Sequence, residues 1–218
     1  MEEPDPYIPP RSPNFPSHTG PRIWLLTSAD SPLGISLTRH LLQHGDHVTA
    51  GVCALDFETH DARSADFRAF LHEVRGNEAW QSRLRVVALD IRVMAQCQSA
   101  VADTLAVAGR IDVLFVCTSE SVVGSVEELA ASRRTQALVR QQFESTFFGP
   151  VNVIKAVLPS FRARRNGHII VLSAITGHLG TPGLGFYCAS QWALEGYCDS
   201  LAYEVAPFNV RTLSLIHI

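Results

Sequence analysis

Lysine is almost missing from this chain: Lys155 is the only one among 218 residues. Other absences narrow the field further. Basic residues number 18 against 21 acidic ones, a formal net charge of -3, which gives no electrostatic reason to expect a nucleic-acid partner. The one basic cluster, Arg162-Ala163-Arg164-Arg165, reads as the solvated end of a helix. No apolar run approaches the ~20 residues of a helical membrane span. The five cysteines (53, 97, 117, 188 and 198) are odd in number, scattered and without a Cys-x-x-Cys pair. That pattern excludes a disulfide framework and a cysteine zinc site, and suits buried free thiols in a reducing, cytoplasmic setting. The nine histidines show no metal-ligand spacing.

What remains is ordinary globular material: 46% hydrophobic and 18% charged, enough for one good core. Residues 1–20 stand apart. They hold six prolines together with Glu2, Glu3 and Asp5, and such a segment cannot bury enough apolar surface to offset its ordering entropy. It also lacks the basic start and apolar stretch of a secretory leader.

From Ile23 onward, short apolar runs alternate with helical stripes. Strands are expected at Ile23–Leu26, Val48–Cys53, Leu84–Leu89, Ile111–Val116, His168–Leu172 and Val210–Ile216. Helices are expected around Leu33-Leu37-Leu41, Phe67-Phe70-Val74, Met94-Cys97-Val101, residues 134–164 and Leu194-Tyr197-Leu201. Gly149-Pro150 should kink the long fourth helix. Strands alternating with helices predict an α/β, Rossmann-like doubly wound parallel sheet with helices on both faces, over residues 21–218.

The chain is organised around residues 173–191. An apolar strand, Ile169-Ile170-Val171-Leu172, runs through Ser173-Ala174 into a Gly/Pro-rich loop, and a helix follows in which Tyr187 and Gln191 share a face. This stretch resembles the active-site segment of the short-chain dehydrogenase/reductase family. There the strand ends in Ser-Ser and a Tyr-x-x-x-Lys helix follows. The resemblance places Ala174 on the catalytic serine, Tyr187 on the acid/base tyrosine, Gln191 on the lysine and Thr146 on the catalytic asparagine. Of the four, only the tyrosine is kept. Ser173 adjoins Ala174 and is the one hydroxyl that a slip at the strand end could offer in its place.

The resemblance extends over about residues 23–218. The turn Thr27-Ser28-Ala29-Asp30-Ser31-Pro32-Leu33-Gly34 occupies the place of Thr-Gly-x-x-x-Gly-x-Gly and keeps only the last glycine. Ser31 and Pro32 form a good helix start, so the helix dipole and remaining amides still attract an anion. Asp90-Ile91 matches the family's adenine-side Asp-Val/Ile. Val52 and Cys53 stand where an acidic or basic residue would choose between cofactors, with Asp56 close by. Val116-Cys117-Thr118-Ser119 replace Asn-Asn-Ala-Gly.

The resemblance implies an NAD or NADP cofactor held by Thr27, Ser31, Leu33, Gly34, Asp90, Ile91 and Gln191, and pairing into a homodimer or tetramer. It further implies a small carbonyl or alcohol substrate at Tyr187 with Ser173. Relatives continue past the sixth strand into a lid and a last strand, so the sequence is expected to be a C-terminally incomplete member. Losing the serine, lysine and asparagine positions predicts a catalytically impaired, binding or regulatory role. The alternative is an active NAD(P)-dependent oxidoreductase using Tyr187 with Ser173.

Overall fold

A computed structural model describes residues 20–53, 62–117 and 120–217. The proline-rich leader up to residue 19, Asp56, and Thr118-Ser119 lie outside the described residues. Six strands form one sheet: β1 (Ile23–Leu26), β2 (His47–Val52), β3 (Leu84–Ala88), β4 (Val113–Val116), β5 (Gly167–Ala174) and β6 (Val210–His217). Their spatial order is β3-β2-β1-β4-β5-β6 and every pairing is parallel. This is the doubly wound arrangement expected from the alternating pattern, and its order reverses between β1 and β4, where such sheets open a crevice.

The strands explain themselves by a period of two. On β4, Val113 and Phe115 pack on one face of the sheet, while Leu114 and Val116 pack on the other. On β5, Ile170 joins the first face and Ile169 and Val171 the second. Burial on both faces is why these strands read as unbroken apolar runs.

The first face is covered by α1 (Pro32–Gln43) and α2 (Ala62–Arg75). The second is covered by α4 (Met94–Ala108), α7 (Gly149–Arg164) and α8 (Gly185–Val205). Three short helices complete the set: α3 (Glu78–Gln81), α5 (Val126–Ala130) and α6 (Arg133–Phe143). Neither α3 nor α5 is expected from periodicity. Yet Ser125 and Glu128 close a capping box at the start of α5, a signal present in the sequence.

The expected kink takes a specific form. Between α6 and α7, residues Glu144–Phe148 make a π turn, and Pro150, which has no N–H to continue the helical ladder, sits in the first turn of α7. Gly149 is required there because a Cβ would fall 2.6 Å from Ile91 Cγ1.

The start of β4 also shifts, to Val113. Asp112 acts instead as a junction before the sheet. Its carboxylate accepts from the Ile23 amide (2.9 Å), from Arg164 Nη2 (2.8 Å) and from Arg110 Nε (3.0 Å). Burial pushes this carboxyl up, but the Ile23 amide and the two guanidiniums outweigh it and hold it below the ordinary value. A folded-state value below the unfolded one (~3.9) gives stability that is present above pH ~4 and lost as pH falls through the depressed value. Asp112→Asn is therefore expected to lower the urea midpoint at pH 7 and to flatten its decline below pH ~4. Urea titrations across that range check both.

Candidate nucleotide cleft and Tyr187 site

The crevice at the carboxyl ends of β1, β2, β3 and β4 begins at the turn after β1. Thr27 is fully buried and ties β1 to β4: its amide donates to Phe115 O (3.0 Å), and its Oγ1 accepts from the Cys117 amide (3.1 Å). Ser28 sits in the left-handed region at φ 47°, the conformation a glycine would adopt without cost. Ser31 caps α1, its Oγ accepting from the Gly34 amide at 3.0 Å. Gly34 packs so closely that a Cβ would lie 2.6 Å from Ser28 O and 2.7 Å from Ala29 Cα.

These contacts use up most of the donors that would cradle a phosphate. The Ser31 amide bonds Ser28 O at 2.9 Å, position 32 has no N–H, and Gly34 serves the cap. Leu33, exposed at the first turn, keeps an amide without a protein partner among the described residues. One amide and the α1 dipole can hold one anionic group.

On the far side, Asp90 is occupied. Arg92 donates to it from Nε (2.9 Å to Oδ1) and Nη2 (2.7 Å to Oδ2), and its amide adds a third bond. These bonds hold the Asp90 carboxyl below its usual range and raise the Arg92 guanidinium. Arg63 of α2 similarly reaches Asp30 at 2.7 Å. Burial pushes the Cys117 thiol up to about 11, and burial followed by the Asp90 charge raises that of Cys53, so neither is poised as a thiolate. With Ser28, Ser31, Ile91, Glu120 and Ser145, these residues bound a cleft of about 80 Å³, well under the ~300 Å³ of a typical small-molecule pocket. Of the residues expected to hold a cofactor, Ser31, Asp90 and Ile91 line this cleft, and Thr27, Leu33 and Gly34 belong to the turn and helix start beside it. Arg92 and Arg63, which no spacing motif marks, line it as well.

The Tyr187 side is built by β5 and α8. Ser173 continues the face of Ile169 and Val171, so it points to α8. Its hydroxyl is buried and donates to Gln191 Oε1 in a long contact of 3.4 Å. Ala174 falls on the opposite side of the strand alternation. Gln191 is 2% exposed, while Tyr187, one turn earlier, is half-buried. The structure thus brings Ser173 and Gln191 together. Thr146 is fully buried inside the π turn and its hydroxyl donates back to Gln142 O at 2.6 Å, beside Ser145 Oγ at 3.1 Å, so it is bound to its own helix. Lys155 is exposed on α7. Among the described residues no cluster of three His, Cys, Asp or Glu side chains could hold a metal ion, and no helix is long and apolar enough to cross a membrane.

Residues 22–216 match the family described as short chain dehydrogenase. The chain is 33% identical over 191 residues to 3-ketodihydrosphingosine reductase of Bacteroides thetaiotaomicron, covering 88% of this chain and 61% of that protein. It is 36% identical over 141 residues to human retinol dehydrogenase 8, covering 63% and 42%. The chain thus spans between two fifths and three fifths of the length of these relatives. Among solved structures it is similar to a short-chain dehydrogenase from Streptomyces avermitilis, with TM-score 0.74, 30% identity and coverage of 89% and 65%. A metagenomic short-chain oxidoreductase in complex with NADP shares the fold, with TM-score 0.75, 22% identity and coverage of 89% and 81%. The parallel sheet, the crevice after β1 and the β5–α8 pair carrying Tyr187 agree with this match over nearly its whole length: the chain belongs to the short-chain dehydrogenase/reductase family.

Proposed function

We propose that this chain is a dinucleotide-fold module of oxidoreductase ancestry whose hydride-transfer chemistry is impaired, and that it acts by binding rather than by turnover. One observation carries the reading. The position where the family has lysine is a buried, neutral Gln191 facing Ser173. A tyrosine with a reference pKa of ~10 is a poor general acid/base at neutral pH until a nearby cation lowers it. Gln191 provides hydrogen bonds and no charge, Ala174 provides no donor to a substrate oxygen, and Thr146 is bonded to its own helix.

An NAD or NADP molecule would lie along the crevice. Its pyrophosphate would meet the Leu33 amide and the start of α1, its adenine end Asp90 and Ile91, and its nicotinamide ribose Gln191. Bound there, it would supply the hydride. The cleft fits this group weakly, because Pro32 removes a donor and the Arg92–Asp90 and Arg63–Asp30 pairs narrow the adenine end. Oligomerisation through α7 and α8 into a dimer or tetramer belongs to the same proposal.

The second reading, an active NAD(P)-dependent oxidoreductase on a small carbonyl or alcohol, is favoured by the presence of Tyr187 and by relatives named as reductases and dehydrogenases. Titration of NADH and NADPH by fluorescence and calorimetry tests both. Weak binding without transfer to a carbonyl panel is the expected result, and tight binding with transfer supports the second reading.

A further inference from the structure

The opposite end of the sheet carries a second recess, unrelated to the nucleotide crevice. The amino ends of four adjacent strands, β1, β4, β5 and β6, bound a space of about 600 Å³. Arg22 precedes β1, Arg110 and Asp112 precede β4, and His168 and Arg211 are the second residues of β5 and β6. His168 and Arg211 are register partners across β5 and β6, so their side chains leave the sheet together. Burial lowers the His168 pKa, and Arg211 and Arg22 lower it further, as neighbouring cations must.

The charge here does not balance. Asp112 is shared between Arg110 and Arg164 and also accepts from the Ile23 amide. Asp46 is buried, bonding the Arg22 amide at 2.9 Å and Trp24 Nε1 at 2.9 Å. Arg22 and Arg211 are exposed, and neither guanidinium has a carboxylate partner among the described residues. Among the described residues that line the recess, three guanidiniums (Arg22, Arg110 and Arg211) thus stand beside one carboxylate, Asp112, in a chain whose net charge is -3. A recess lined by an excess of one sign of charge concentrates counter-ions, and the planar guanidinium fork matches phosphate oxygens in pairs.

We propose that this recess binds a multiply charged anion of the phosphate or pyrophosphate class, gripped by Arg22 and Arg211 with Arg110 behind them. Both gripping arginines are exposed and make no carboxylate pair among the described residues, so replacing them leaves the fold intact, as an unchanged melting temperature without anion would record. The test titrates sodium pyrophosphate into the full chain and into Arg22→Ala/Arg211→Ala by calorimetry. A parallel arm sediments both proteins with vesicles of phosphatidic acid in phosphatidylcholine and with phosphatidylcholine alone.

The wild-type chain is expected to bind pyrophosphate, with affinity falling as salt rises, and the double variant to bind at least tenfold more weakly, roughly the loss of a charge-assisted bond. Wild-type sedimentation with the acidic vesicles alone, lost in the variant, assigns the anion to a lipid headgroup. A response to pyrophosphate alone assigns a free phosphate compound. Equal pyrophosphate binding by both proteins would place the anion at α1 and overturn the proposal. So would no binding of either probe.

Discussion

Restoring Ser at 174, Lys at 191 and Asn at 146 together is expected to raise hydride transfer from NADPH to small carbonyls by about 10³-fold or more. An oxyanion-type donor is worth ~10²–10³ and positioned acid/base help ~10²–10⁴, and members of one catalytic unit do not contribute additively. The full triple exchange is therefore the informative variant, and each single exchange should recover little. Position 191 is 2% exposed, so an ammonium there is desolvated and its pKa falls. The variant should consequently lose stability as pH drops, because its lysine must charge inside the fold. Steady-state rates on a panel of aldehydes and ketones give the answer. A gain below tenfold would mean that something other than these three side chains limits the chemistry.

Opposite effects are expected from two glycine exchanges in the turn after β1. Gly34→Ala puts a methyl 2.6 Å from Ser28 O and 2.8 Å from Ala29 C. Backbone cannot move aside as a flexible side chain can, so the cost is at the upper end of overpacking, ~2–3 kcal/mol, which lowers the melting temperature by roughly 5–10 °C for a chain of this size. Ser28→Gly relieves a side chain held at φ 47° and should stabilise by ~0.5–1 kcal/mol, after the entropy a glycine adds to the unfolded chain. Thermal and urea unfolding of the two variants measure both signs. A destabilised Ser28→Gly would show that the serine side chain, rather than the turn geometry, matters there.

The architecture was legible because burial on both sheet faces leaves a plain trace. Val113 to Val116 and Ile169 to Val171 are uninterrupted apolar runs that alternate between the two cores. The Tyr187 segment was legible for a different reason: its strand–loop–helix spacing places a tyrosine beside a strand end whatever the neighbouring side chains are.

The pairs that set the cleft's chemistry left no such trace. Arg92 clasps Asp90 from two residues away, and Arg63 crosses 33 positions to reach Asp30. Side-chain reach of this kind depends on the folded turn and on no period. Ser173 is a related case. It follows the alternation of β5 as a regular strand should, and only the packing of α8 against that face turns its hydroxyl toward Gln191. The π turn at Glu144–Phe148 explains why a helix pattern running through residues 134–164 is interrupted before Gly149.

Comparing the unmodified chain with Tyr187→Phe tests the account most directly. Both are given saturating NADPH and the same carbonyl panel, and hydride transfer is followed by loss of the nicotinamide absorbance. With the neutral Gln191 one turn along the helix where the family has lysine, removing the Tyr187 hydroxyl should change the rate less than about threefold, against the ~10²–10⁴ that working acid/base catalysis provides. A hundredfold loss on removing that one oxygen would contradict the account and identify the chain as a working oxidoreductase.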